Sequence, residues 1–214
     1  DVYKRQIFGE AFLQGFYCAD FNVEHDEKIA VSRNDSIITE ICSAAEEYKL
    51  AVSFGFIEKE GDLFYSSQLT VDQAGKVIDL YRRVSPGWKE SFADEHYREG
   101  EEFHSFLFLD RKVVVGLCGD LWFDTNIDSI NKLHPDIVFW SVYTDFNEHE
   151  WNTSEKLEYA AQAGRINSKV LYVNSLCKDR EADDIARGGA ALFAGGRIEA
   201  EIPSGQEGIL VVEV

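Results

Sequence analysis

Three places along the 214-residue chain carry side chains able to do covalent chemistry: Glu10, the stretch Tyr81-Arg82-Arg83, and Cys118. Cys118 ends the run Val113-Val114-Val115-Gly116-Leu117, which reads as a buried strand because three β-branched residues and a leucine follow one another. Gly119 comes next, where backbone can approach a ligand closely. A thiol at a strand tip beside a glycine amide has the parts of a nucleophile with half an oxyanion hole. The competing reading is a small buried hydrophobe, the commonest fate of a free cysteine. A carboxylate at Glu10 to take the thiol proton and a cation at Arg82 or Arg83 to steady negative charge complete the set that acyl transfer through a thioester requires. The loop Arg83–Glu102, with Trp88, Lys89 and Glu95, is long enough that a functional role is expected of it.

The elements that must position these groups follow from periodicity. Apolar residues Ile37, Ile38, Ile41, Ala44, Ala45 and Tyr48 predict an amphipathic helix from about Asp35 to Lys49. Alternating runs 51–57, 63–71 and 77–82 predict a three-stranded meander. A hairpin is expected from Ser105–Leu109 and Val113–Cys118, turning at Asp110-Arg111. Helices at 124–133 and 150–168, strands at 136–142 and 169–174, and short strands at 188–193, 197–200 and 208–214 complete the pattern. Alternating strands and helices with antiparallel pairs mixed in indicate a layered α/β domain.

Composition narrows the function. The net charge of −18, from 39 acidic and 21 basic residues, argues against nucleic acid or anionic membrane as a partner. No apolar run approaches the roughly 20 residues of a membrane-spanning helix. Cys18, Cys42, Cys118 and Cys177 form no CxxC pair, and a reducing, cytoplasmic setting with free thiols is expected. The five histidines show no metal-ligand spacing. The first six residues, Asp1-Val2-Tyr3-Lys4-Arg5-Gln6, look like the translation of a sequencing-library end and are expected to be non-native.

Phe8-Gly9-Glu10, Tyr81-Arg82-Arg83, Glu95-His96-Tyr97-Arg98-Glu99-Gly100 and Gly116-Leu117-Cys118-Gly119-Asp120 resemble, in order and spacing, the signatures of the nitrilase superfamily of carbon-nitrogen hydrolases. The resemblance implies a nitrilase-type αββα sandwich with mixed sheets over residues 7–214, here lacking its first strand, and pairing with a second copy into a homodimer or larger homo-oligomer. It implies a hydrolase of small-molecule amide or carbamoyl compounds, more rarely nitriles, with no metal and no cofactor. Glu10 then matches the general base, Cys118 the nucleophile, Glu95 an additional acid and Gly119 the oxyanion donor. Trp140 and Tyr143 fall where substrate walls are built. The family's lysine position holds Arg83, which keeps the charge but cannot readily shuttle a proton. Three outcomes stay open: Arg83 supplies the electrostatics, Lys89 reaches back from the same loop, or the chain is a silent binding or regulatory subunit. A redox cysteine protein is a further rival, requiring a resolving cysteine near Cys118.

Overall fold

The computed structural model describes residues 5–178 and 185–214 of a chain that divides into two units, residues 1–102 and 103–214. Both are α/β, each built on a mixed sheet, as expected.

In the first unit the order is β1 (Arg5–Ile7), α1 (Val23–Asp26), α2 (Ser36–Tyr48), β2 (Ala51–Glu60), β3 (Leu63–Val71) and β4 (Val77–Arg82). The sheet runs β1-β2-β3-β4, with β1 parallel to β2 and the meander antiparallel. Of the six residues expected to be non-native, Asp1–Lys4 lie outside the described residues, while Arg5 and Gln6 pair with Ala51 and Val52. Helix α2 starts where its polar cap predicts. Its stripe, with Ile38 and Ala45 fully buried, packs on Phe54, Phe56, Leu69 and Val71, the residues that strand alternation turns to one face.

The opposite face is polar and still buried. It carries Ser53 and Gly55 from β2, Ser66, Gln68 and Thr70 from β3, and Tyr81 from β4. Ser53 and Thr70 share a hydroxyl hydrogen bond of 3.0 Å, and the Gln68 amide donates to Ser53 Oγ at 3.1 Å and to the Phe8 carbonyl at 3.3 Å. Buried polar atoms are tolerable when they satisfy one another, and here they also seat the segment that carries Glu10. That segment lies directly on β2. The Phe8 amide donates to the Ser53 carbonyl and the Leu13 amide to the Gly55 carbonyl. A Cβ on Gly55 would stand 2.5 Å from the Ala11 nitrogen and the Gly9 oxygen, and 2.8 Å from Glu10 Cα.

In the second unit β5 (Ser105–Phe108), β6 (Arg111–Leu117), a 3-10 turn (Cys118–Trp122), α3 (Asp124–Lys132), β7 (Ile137–Val142), α4 (Glu148–Glu150), a π-turn (Trp151–Glu155), α5 (Lys156–Ala163), β8 (Lys169–Asn174), β9 (Ala190–Ala194) and β10 (Arg197–Ile202) follow in order. The sheet is ordered β10-β9-β8-β7-β6-β5, with β6, β7 and β8 parallel at its centre. The hairpin turns one residue earlier than expected, at Leu109-Asp110. Both have positive φ, 55° and 63°, the backbone a two-residue type I′ turn demands.

The expected helix 150–168 is instead α4, the π-turn and α5. It ends at Ala163, where Gly164 comes so close to Gly196 that a Cβ would stand 2.6 Å from its Cα. The residues after it are tied to α3 by the Asn131 side chain, which donates to the Arg165 carbonyl and accepts from the Asn167 amide. The expected strand at 208–214 is absent, since β9 finds its partner in β10. Among the described residues, no helix is long and apolar enough to cross a membrane.

Since the Gly55 clashes are with backbone, a Gly55→Ala protein cannot relieve them by turning a side chain. Overpacking of this kind costs about 1–3 kcal/mol, which for a chain of this length is roughly 2–4 °C of melting temperature per kcal/mol. Thermal unfolding followed by circular dichroism checks it, and an unchanged midpoint would contradict the direct seating of Glu10 on β2.

Candidate active site

Glu10 is completely buried, and two donors converge on its Oε1. Ser66 Oγ donates at 2.8 Å and Arg83 Nη1 at 3.0 Å. The arginine, 4% exposed, divides its fork: Nε donates to Ser85 Oγ at 3.0 Å and Nη2 to the Pro86 carbonyl at 3.2 Å. Its backbone is equally fixed, the amide donating to the Ser66 carbonyl and its own carbonyl accepting from Gly100. A guanidinium at this distance favours the ionised carboxylate over the acid. The cation that the structure sets on Glu10 is therefore Arg83.

Lys89 goes elsewhere. Its Nζ donates to the Tyr97 carbonyl and forms an ion pair with Glu99 at 3.0 Å. Glu95 is exposed, and the half-buried carboxylate of that loop is Glu99, four residues on. The loop itself is anchored to β3 by Phe64, whose amide and carbonyl bond His96 and Arg98, and by Tyr97, which stacks on Phe64 and donates to Asp26 Oδ2 at 2.7 Å.

In the second unit Cys118 stands at the end of β6 with φ of +40°, a left-handed conformation uncommon for any side chain. Its surroundings enforce that turn. Trp140 Nε1 donates to the Cys118 carbonyl at 2.8 Å, and buried Asp120 accepts from the Leu117 amide at 2.8 Å, closing the 3-10 turn as expected of an aspartate there. Gly116 is where Leu121 folds back, since a Cβ would stand 2.3 Å from Leu121 Cδ1. Asn126 and Gln162 donate to the Asp120 and Leu121 carbonyls. The Cys118 thiol is half-buried and donates to the Tyr143 carbonyl at 3.6 Å, while the Tyr143 hydroxyl contacts Cys177 Sγ at 3.6 Å. Gly119 follows, half-buried, within the turn.

Trp140 has no exposed surface and belongs to an aromatic cluster with Trp122, Trp151, Tyr159 and Tyr172. Burial raises the Tyr159 phenol well above the usual range, the Cys118 thiol adding to the effect, and burial alone does most of the same for Tyr172. Both are neutral hydroxyls at physiological pH. Asn174, at the tip of β8, closes a turn: it accepts from the Thr144 amide and donates to the Thr144 and Gly188 carbonyls.

Asp20, His25 and Asp26 bring one ligand atom each within 4.8 Å of one another. Asp26 is already taken up by the amides of Asp20 and Phe21, by His25 Nδ1 and by the Tyr97 hydroxyl, so the group is a structural knot. The residues that sequence reasoning passed over are Ser66, Ser85 and Glu99. For Ser66 a signal existed: Ser66-Ser67 and Arg82-Arg83 lie in register on neighbouring strands.

The family model of carbon-nitrogen hydrolases matches residues 6–214. An arylacetonitrilase of Aspergillus niger is 32% identical over 210 residues, covering 87% of this chain and 61% of its own length. An N-carbamoylputrescine amidase of Oryza sativa subsp. japonica is 24% identical over 136 residues, 61% of this chain and 44% of the relative. The chain thus spans roughly half the length of these relatives. The crystal structure of an amidase from Nesterenkonia sp. AN1 superposes with a TM-score of 0.71 at 16% identity, covering 94% of this chain and 76% of the other, which shows the nitrilase-type fold.

Glu10→Gln keeps the shape of the side chain but removes the negative charge that the buried Arg83 guanidinium meets at 3.0 Å. Breaking a buried pair in this way costs about 3–5 kcal/mol, to be read from urea denaturation, and a loss below about 1 kcal/mol would show that the pair is solvated. Burial, with help from Asp26, also pushes the Cys18 thiol from 9.0 up to about 11. At pH 7.5 its thiolate fraction, and so its alkylation by iodoacetamide, is expected to be about a hundredfold below that of an unshifted thiol and to recover as pH rises toward 11. Peptide mapping by mass spectrometry gives the rate for this thiol separately from the other three.

Proposed function

Because the chain belongs to the carbon-nitrogen hydrolase family, we propose that it hydrolyses a non-peptide C–N bond, in an amide or carbamoyl group of a small molecule, through a thioester on Cys118. The observation that carries this reading is the backbone of Cys118. A side chain held at φ +40° at the end of a buried parallel strand, by a tryptophan N–H on one side and an aspartate-capped turn on the other, is costly geometry of the kind concentrated at functional sites. It presents the thiol outside the carboxyl end of the strand, where open α/β sheets bind ligands.

In this proposal Glu10, ionised beside Arg83, takes the proton of the Cys118 thiol as sulfur attacks the substrate carbonyl carbon. The Gly119 amide stabilises the oxyanion of the tetrahedral intermediate. Glu10 returns the proton to the departing nitrogen, and ammonia or an amine leaves with the C–N bond pair. Glu10 then takes a proton from water, whose oxygen attacks the thioester; the carboxylic acid departs and the thiolate recovers its proton. Arg83 supplies charge and no proton, so the substitution of the family lysine is compatible with turnover. Lys89 holds the loop through Glu99 and Tyr97, and Glu95 would act only by moving from its exposed position. The active species is a cytoplasmic homodimer in this reading.

A second substrate reading, a nitrile, is supported by the 32% identity to a protein named arylacetonitrilase. A panel of amides, ureido compounds and nitriles, assayed for released ammonia, separates the two. Cys118→Ala is expected to lower turnover on the order of a thousandfold or more, and Cys118 should carry the acyl mass in rapidly quenched samples. Full ammonia release by the alanine variant would end the thioester proposal, and none from the wild type across the panel would favour the silent subunit.

A further inference from the structure

The geometry points to Ser66 as a positioning residue for the base, one that sets both the orientation and the proton affinity of the Glu10 carboxylate. This rests on the reading of Glu10 as general base.

The case comes from a duplication across the first sheet. Strand alternation sends consecutive side chains to opposite faces, and here two Ser-Ser and Arg-Arg pairs sit side by side: Ser67 is in register with Arg82, and the Arg83 amide donates to the Ser66 carbonyl. Each face thereby receives one serine and one arginine, and each holds one completely buried glutamate. On one face Arg82 chelates Glu58, Nε to Oε2 and Nη2 to Oε1 at 2.8 Å each, with Ser67 Oγ on Oε2 at 2.7 Å. Both oxygens of Glu58 are engaged, and Arg82 is further tied to Glu60 and lies 3.8 Å over the Tyr65 ring. That triplet is a lock.

The other face uses the same three residue types differently. Arg83 does not chelate Glu10. It spends Nε and Nη2 on Ser85 and Pro86 and reaches the carboxylate end-on, so Arg83 and Ser66 meet on the same oxygen. The end-on Nη1 contact constrains the torsion of the carboxylate less than a two-oxygen chelate does. The Ser66 hydroxyl, fixed on β3 and coming from a second direction, is what determines where the plane of the carboxylate lies. The same hydrogen bond favours the charged form. Ser66 from β3, Arg83 beyond β4 and the Gly55 backbone of β2 are set against Glu10, and of these three the charged one, Arg83, does not titrate in the accessible range.

The test is a ¹³C NMR titration of the full chain labelled at glutamate Cδ, with the Glu10 signal assigned by its loss in Glu10→Gln. Ser66→Ala should raise the Glu10 midpoint by about 0.5–1 pH unit, Ser66→Thr should hold it within about 0.2, and Ser67→Ala, on the opposite face, should leave it unmoved. With a substrate from the panel, the acidic limb of kcat/KM should shift upward by the same amount in Ser66→Ala, with kcat falling and KM retained. An unmoved Glu10 midpoint in Ser66→Ala, or an equal movement in Ser67→Ala, overturns the positioning role. Loss of activity confined to a lowered melting temperature, with the limb in place, does the same. If Glu10→Gln turns over at the wild-type rate, the assignment of the base fails instead, and the NMR midpoint still decides whether Ser66 tunes the carboxylate.

Discussion

A carboxylate and a guanidinium buried against each other have both been taken out of water and are costly to separate, and the first unit is arranged to hold them together. Glu10 and Arg83 meet at 3.0 Å with almost no solvent exposure, and each is fixed by contacts that do not involve the other. Glu10 rides on a backbone segment laid against β2, where Gly55 removes the side chain that would hold it off. Arg83 is gripped through Ser85 and the Pro86 carbonyl. On the polar face of the meander Ser53 bonds both Gln68 and Thr70, so the buried hydroxyls beside the charged pair are satisfied while Gln68 Oε1 is left without a hydrogen bond. Hydrophobic packing occurs on both faces: α2 covers Phe54, Phe56, Leu69 and Val71 on one, and Ile57 and Phe64 join Ala11, Trp88 and Tyr97 on the other.

The second unit solves a different problem, holding one backbone conformation rather than one charge. Three parallel strands deliver Cys118, Tyr143 and Asn174 to the same edge of the sheet. Asn174 ties the loop after β7 to the glycines before β9, so that the Tyr143 carbonyl is fixed where the thiol donates. The aromatic cluster lies behind that edge. Its contribution to the thiol is indirect: Trp140 grips the Cys118 carbonyl, and Tyr159 and Tyr172 remain uncharged hydroxyls near the sulfur.

Much of this was legible in the sequence, for reasons that differ by element. Strands β2 to β4 and helix α2 announce themselves because one face of each is apolar at the right period. Cys118 was legible because a glycine follows a β-branched run, and Asp120 because aspartate caps turns through its own side chain. The part that could not be read is partnership. Nothing in the order of residues says that Arg83 turns to Glu10 while Lys89 turns to Glu99, since both cations are within reach along the loop and tertiary register alone chooses. The π-turn at Trp151–Glu155 escaped for a similar reason: its period is local and leaves no compositional mark. Periodicity alone therefore predicts one longer rod where the structure has a broken helix. Glu99 carries no mark that sets it apart from Glu95, four residues earlier in the same motif.

The left-handed turn at Cys118 has an evolutionary side. A side chain held in that region of backbone space costs on the order of 1 kcal/mol that glycine would not incur, so drift toward glycine at this position would relax the fold while removing the thiol. A chain under selection for robustness alone would be expected to abandon the cysteine. In this chain the turn is propped by Trp140, Asp120 and the fold-back at Gly116, so the scaffold absorbs a standing penalty at the residue that bears the thiol.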